Sequence, residues 1–323
     1  MQAANRSSAR LSLTLGGVGG TIRSAAGSAR RLEGRRLFSG RGGAMGRSRG
    51  VRTLWSAATV FAACFLLLGA CRADEPPGTP GGGDRALRLG LRIVGRWAHD
   101  PKAFTQGLVW SADGLYESTG GYGASDLRLV RLAADPAPPL LRRPLAAGYF
   151  GEGLALVGER LVQLTWRERK AFVYDRATLR PIAEFSYDTE GWGLCFDGDA
   201  LIMSDGSDRL FVRDPASFAL RRSVPVTLEG RPVAALNELE CVGDRVYANR
   251  WRTDEILRID PRSGRVDAVI DARPLSAEVG RGVDVLNGIA HRPGAATLYL
   301  TGKLWPTVFE VKLLDASGRV VPP

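Results

Sequence analysis

The sequence predicts an all-β chain and, within that class, a five-bladed β-propeller. Three observations lead there. Over residues 87–314 no long helical period appears, and short alternating runs such as Arg160-Leu-Val-Gln-Leu, Ala171-Phe-Val-Tyr and Val246-Tyr-Ala stand between turn signals. One register recurs five times, as Gln106-Gly107-Leu108, Glu152-Gly153-Leu154, Trp192-Gly193-Leu194, Asn237-Glu238-Leu239 and Asn287-Gly288-Ile289. Its apolar third positions lie 46, 40, 45 and 50 residues apart, the period of a propeller blade built from four strands.

Taken in order, the chain begins with a segment that does not read as fold. Residues 1–44 are rich in Arg, Gly, Ser and Ala, lack a sustained apolar period, and precede a second methionine that opens a complete export signal. Translation is expected to start at Met45, leaving 1–44 as an extension outside the native protein or a disordered leader. Residues 45–71 form the signal: Arg47, Arg49 and Arg52 give a basic start, and the uncharged apolar run 54–69 is short of the about 20 residues a spanning helix needs. The run closes with Leu68-Gly69-Ala70-Cys71, which resembles the lipobox of bacterial lipoprotein signals. This implies a lipid carried by Cys71, anchorage to a membrane, and an exported protein of the cell envelope, periplasm or cell surface. An ordinary cleaved signal or an uncleaved anchor is the alternative. Residues 72–86, rich in Pro and Gly, suit a flexible linker.

Charge and cysteine content narrow the body further. Eleven of the 44 basic residues and one of the 34 acids fall in the first 53 positions, so the net +10 belongs to the leader and the remainder is balanced at 33 of each. A nucleic-acid partner is therefore not expected. Cys195 stands one residue past its repeat leucine and Cys241 two past its own, so the two should point to opposite faces of their strands; two buried thiols are expected rather than a bridge.

Each repeat unit has recognisable parts. In the second, residues 153–157, 160–166, 170–174 and 181–185 are the four strands, and Asp175-Arg-Ala-Thr-Leu, Asp214-Pro-Ala-Ser-Phe and Asp260-Pro-Arg-Ser-Gly place a turn between strands three and four of successive units. The last unit runs out one strand short after residues 307–313, and residues 87–97 supply a candidate. The first strand of the body is thus expected to close the last blade and remove an exposed edge, with 315–323 as a tail.

The first strand of a propeller blade is innermost, so the repeated position should gather Gln106, Glu152, Trp192, Asn237 and Asn287 into one ring at a channel mouth. The ends of the second strands add Glu117, Trp166, Asp205, Asn249, Trp251 and Lys303 nearby. Glu152 is the sole carboxylate among the five ring residues. Glu238, at the place of the repeat glycine, is the second candidate acid, whereas Glu117, Asp205 and Glu240 are expected to hold strands by accepting backbone hydrogen bonds.

Phe104-Thr-Gln-Gly-Leu, Tyr116-Glu-Ser-Thr-Gly, Phe150-Gly-Glu-Gly-Leu, Gly191-Trp-Gly-Leu, Leu236-Asn-Glu-Leu-Glu, Asn249-Arg-Trp, Val285-Leu-Asn-Gly-Ile-Ala and Thr301-Gly-Lys-Leu-Trp-Pro, in that order, resemble the plant and bacterial type of glutaminyl-peptide cyclotransferase. The resemblance covers nearly the whole body. It implies a five-bladed propeller that converts the N-terminal glutamine of peptides or proteins to pyroglutamate, releases ammonia, and uses no metal or other cofactor. His99 and His291, the only histidines, are isolated from any ligand-like spacing.

Such a reaction needs a neutral α-amine held near the side-chain amide, donors for the developing oxyanion, and a proton for the departing nitrogen. The resemblance assigns the proton transfer to the residue matching Glu152. Lys303, Gln106, Asn237 and Asn287 are the candidates for polarising the amide carbonyl and fixing the substrate backbone. Phe104, Phe150, Trp166, Trp192 and Trp251 would wall the glutamine side chain and exclude water. The resemblance supports all of these except Asn287, which rests on the repeat register. Two other readings remain at this point: a non-catalytic propeller that binds peptides or proteins at the cell envelope, and a metal-dependent propeller hydrolase, which would need several carboxylates converging on one ion. A monomer is expected.

Overall fold

A computed structural model describes residues 85–323 of the chain. The expectations for residues 1–44, for the signal 45–71 with Cys71, and for most of the linker 72–86 lie outside the described residues. Within them the fold is all-β, with a single short helix.

The first strand of the described residues is β1 (Leu87–Ala98). A first four-stranded sheet follows in simple up-and-down order, β2 (Thr105–Ser111), β3 (Gly114–Thr119), β4 (Asp126–Val130) and β5 (Leu141–Pro144). The second contains β6 (Gly151–Val157), β7 (Arg160–Thr165), β8 (Lys170–Asp175) and β9 (Pro181–Ser186). The third contains β10 (Leu194–Phe196), β11 (Leu201–Met203), β12 (Arg209–Arg213) and β13 (Leu220–Pro225). A small hairpin, β14 (Thr227–Leu228) with β15 (Arg231–Pro232), leads into β16 (Leu236–Val242), β17 (Arg245–Arg250), β18 (Glu255–Ile259) and β19 (Val266–Asp271). The helix α1 (Arg273–Val279), with Pro274 in its first turn where no amide donor is missed, comes before β20 (Leu286–His291), β21 (Leu298–Gly302) and β22 (Thr307–Leu314). β23 (Val320–Val321) adds to β22.

The strands expected in the second repeat appear within two residues of their anticipated ends. The three Asp-initiated segments are the turns leading from β8, β12 and β18. Each aspartate carboxylate accepts amides of its own turn, as Asp175 does from Thr178, Asp214 from Ser217 and Asp260 from Arg262. The last three strands lack a fourth of their own, and β1 lies antiparallel to β22 from Gly90 opposite Leu314 to Ala98 opposite Thr307. Its first three residues also pair in parallel with β19.

Core side chains lie in layers between successive sheets. Leu127 and Tyr116 meet Leu154 and Leu161; Leu164 and Val162 meet Leu194 and Met203; Ile202 and Leu210 meet Leu239 and Val246; Ile256 and Ile270 meet Ile289 and Leu300; and Leu108 and Leu115 meet Ala290 and Tyr299. The repeat glycines permit the close approach this requires. A Cβ on Gly153 would lie 2.5 Å from the Leu194 nitrogen, and one on Gly193 would lie 2.0 Å from the Asn237 carbonyl oxygen.

This layering corrects the expectation of two free thiols. Cys195 and Cys241 form a disulfide, with Cα atoms 5.4 Å apart. The two do point to opposite faces: Leu194 packs towards the second sheet, and Cys195 packs with Leu236, Leu239 and Val246. In neighbouring sheets stacked face to face, however, one sheet's forward face meets the next sheet's rear face. Opposite parity therefore brings the sulfurs together.

Candidate active site

The innermost strands are irregular where the repeat register falls. Ladder pairing shifts between Thr105 and Gly107, Gly151 and Leu154, Leu236 and Leu239, and Leu286 and Ile289. Such bulges re-aim side chains that a regular pleat would send between sheets. Gln106, Glu152, Asn237 and Asn287 all lie within them.

A cavity of about 290 Å³ is lined by Phe104, Gln106, Phe150, Glu152, Trp166, Trp192, Asn237, Trp251, Arg252, Asp284, Val285 and Lys303. Nine of the ten catalytic and substrate-binding residues anticipated from the sequence are therefore brought together. The aromatic rings brace one another edge to face: Phe104 with Phe150 at 6.1 Å between centroids, Phe150 with Trp166 at 5.6 Å, and Trp192 with Trp251 at 5.4 Å. The Lys303 Nζ lies 4.8 Å from the centre of the Phe104 ring.

The tenth, Asn287, does not line the cavity. Fully buried behind it, its Nδ2 donates to the Thr105 carbonyl at 2.9 Å and to Gln106 Oε1 at 3.1 Å. With its oxygen occupied, Gln106 turns its Nε2 forward and donates to Glu152 Oε1 at 3.1 Å. Asn287 thus acts through Gln106, because the bulged inner strand sends its side chain sideways towards β2 rather than towards the mouth.

Glu152 is 4% exposed and Lys303 5% exposed. Burial lifts the Glu152 carboxyl well above the usual carboxylate range, against the pull of Lys303 and with small additions from Glu190 and Glu168. Burial likewise lowers Lys303 from the usual lysine range, opposed by Glu152 and Asp284. Both groups are driven towards neutrality, and a proton can pass at little cost between Glu152 and a partner of similar affinity.

The other polar residues expected near the mouth have structural partners instead. Glu117 accepts from Thr105 Oγ1 at 2.8 Å and lies 3.0 Å from His99 Nε2; Asp205 caps the amide of Ser207; Asn249 accepts from the Gly288 amide at 2.9 Å. Glu238 accepts from the amides of Leu108 and Ile289, at 3.1 and 2.9 Å, and so ties three inner strands together where the repeat glycine is missing. Glu240 accepts from the His291 amide at 2.8 Å.

Three contributors were not anticipated. Glu190 Oε2 accepts from the indole nitrogens of both Trp166, at 2.6 Å, and Trp192, at 3.1 Å, and so fixes two walls with one carboxylate. Its position two residues before Trp192 was the available signal. Arg252 follows Trp251 directly and packs its guanidinium 4.2 Å from that ring's centre. Asp284 precedes the motif that contains Asn287, and no repeat spacing marks it.

The chain matches the family model described as glutamine cyclotransferase over residues 62–313. The glutaminyl-peptide cyclotransferase of Arabidopsis thaliana is 41% identical over 235 residues, which is 71% of this chain and 73% of the relative. The crystal structure of Myxococcus xanthus glutaminyl cyclase is matched at 41% identity with a TM-score of 0.68, covering 73% of this chain and 100% of that one. A carboxyl group buried in an aromatic cavity with one lysine and two amides, in a chain with these relatives, leads to one conclusion: this protein is an enzyme of the glutamine cyclotransferase family.

Proposed function

We propose that this enzyme cyclises the N-terminal glutamine of peptides without a metal ion, and that Glu152 carries the proton from the attacking amine to the leaving ammonia. The carrying observation is the placement of Glu152: buried, lifted in proton affinity, held by Gln106, and facing the same aromatic cavity as Lys303. An α-ammonium titrates near about 8, so a carboxyl raised from about 4.3 moves towards it and can accept its proton. The freed amine attacks the side-chain amide carbon and forms the ring C–N bond. Charge develops on the amide oxygen, where Lys303 and the amide of Asn237 donate. Glu152 then gives its proton to the departing nitrogen and takes the surplus proton from the new ring nitrogen, the C–N bond to the departing group breaks, and the ammonia picks up that last proton and leaves as ammonium beside a pyroglutamyl peptide. The aromatic walls hold the side chain in place and limit the water that would hydrolyse the amide to glutamate.

A metal-free reaction is supported by the donor set. The cavity offers Glu152 and Asp284 as its only carboxylates, and no group of three or more His, Cys, Asp or Glu with metal-holding geometry occurs among the described residues. Ammonia release from a Gln-initiated dipeptide in the presence of a chelator tests this reading. Undiminished turnover is expected, and chelator-sensitive turnover restored by a divalent ion would overturn it.

We further infer that the sheets are the five blades of a propeller, with β1 completing the last. The core layers between successive sheets and the long β1–β22 ladder support this. Export with a lipid on Cys71 is proposed from the signal sequence, and the Cys195–Cys241 disulfide supports an oxidising compartment. Labelling cells of the native host with a radioactive fatty acid tests the anchor: label should appear in this protein and vanish in Cys71→Ala, and an unlabelled protein would exclude it.

A further inference from the structure

The cavity over Glu152 adjoins a second one. Arg252, Asp284 and Val285 line it and also line a second cavity of about 550 Å³, bounded further out by Asp254, Ser276 of α1 and Trp305. A substrate whose glutamine side chain fills the first cavity has its chain leading away from it, and these three residues stand where the two spaces meet.

The charged groups at this junction are not equivalent. Asp254 accepts from the Ser276 hydroxyl, and Asp284 Oδ1 accepts from the Val285 amide at 2.6 Å while its charge is offset by Lys303. Among the described residues the Arg252 guanidinium has no acceptor; it rests on the Trp251 ring. Its backbone lies in the left-handed region at φ 63°. Stacked guanidinium groups present a planar fork of donors suited to carboxylates.

Building on the cyclase reading above, we propose that the second cavity receives the peptide residues after the N-terminal glutamine and that Arg252 selects a carboxylate side chain at the second position. The enzyme therefore favours Gln-Glu and Gln-Asp termini over Gln-Lys and Gln-Arg termini, through binding rather than through the chemical step.

The test compares Gln-Glu-Ala amide with Gln-Lys-Ala amide, with glutaminamide as a substrate lacking a second residue. In the native enzyme the acidic peptide should have a kcat/KM higher by about fivefold, carried by KM and shrinking as salt is added. In Arg252→Asn, chosen because asparagine tolerates the left-handed backbone, the ratio should fall to near one, and in Arg252→Lys it should fall part-way. A native ratio of one or below, or a ratio kept in Arg252→Asn, overturns the proposal while leaving the cyclase reading intact. Failure of the native enzyme to release ammonia from any of the three substrates overturns the cyclase reading, and this proposal with it.

Discussion

Replacing Gln106 with methionine keeps the length of the side chain and removes its donation to Glu152. The 3.1 Å bond from Gln106 Nε2 is long for a charge-assisted contact, so its worth sits at the low end of the range for hydrogen bonds to ionised groups, about 1.5 kcal/mol. The donation favours the carboxylate. Its loss therefore raises the proton affinity of Glu152 further, in the direction burial already drives it, and 1.5 kcal/mol corresponds to about one pH unit. The assay is the pH dependence of kcat/KM for one Gln-initiated dipeptide, whose acid limb reports free enzyme and free substrate. In Gln106→Met the enzyme's acid limb should move up by about one unit. A limb set by the substrate's own amine would stay fixed in the variant and move when a substrate of different amine basicity is used. If the enzyme limb stays in place, Gln106 does not tune Glu152 and the link from Asn287 through Gln106 has no catalytic meaning.

Other perturbations follow from the same geometry. Lys303→Met removes the donor to the developing oxyanion and should lower kcat by on the order of 10²–10³, abolish any basic limb due to the lowered lysine, and move the acid limb upward; a change confined to KM would contradict the role. Glu240, pushed up to about 8 by burial, binds its proton more tightly folded than unfolded, so its contribution is full below about 4.5 and is lost as pH rises towards 8. Relative to Glu240→Gln, the native protein should lose stability across that window, by at most about 1.4 kcal/mol per pH unit in denaturant titrations; parallel curves would refute this. The Cys195–Cys241 bridge closes a separation of 46 residues, for which chain entropy gives about 4 kcal/mol, so Cys195→Ala should lower the denaturant midpoint markedly while turnover under native conditions persists. An unchanged midpoint would mean the bridge does not form.

Much of this was legible because the same physical demand recurs. Neighbouring sheets approach closely at Gly107, Gly153 and Gly193, which therefore recur at intervals of 46 and 40 residues, and Gln106, Glu152 and Trp192 beside them line the cavity. What was not legible depended on relations between strands. Asn287 occupies the repeated position, yet its bulge turns it towards Thr105 and Gln106. Parity within a strand sends Cys195 and Cys241 to opposite faces, and only the stacking of one sheet's front on the next sheet's back, which a single strand does not encode, brings the sulfurs together. Glu190 stands two residues before Trp192, but its bond to Trp166 on another strand end, like the stacking of Arg252 on Trp251, is a side-chain contact that the repeat does not mark. Glu238 reads as a displaced acid; its two backbone partners, on β2 and β20, lie 130 and 51 residues away and are brought to it only by tertiary packing.

Ammonia release by Glu152→Gln tests the central claim most directly. The substitution keeps size and the ability to hydrogen-bond with Gln106 while removing the proton carrier. The account predicts that the folded variant binds a Gln-initiated peptide but releases ammonia more slowly by on the order of 10²–10⁴. A variant that turns over at the native rate would contradict it.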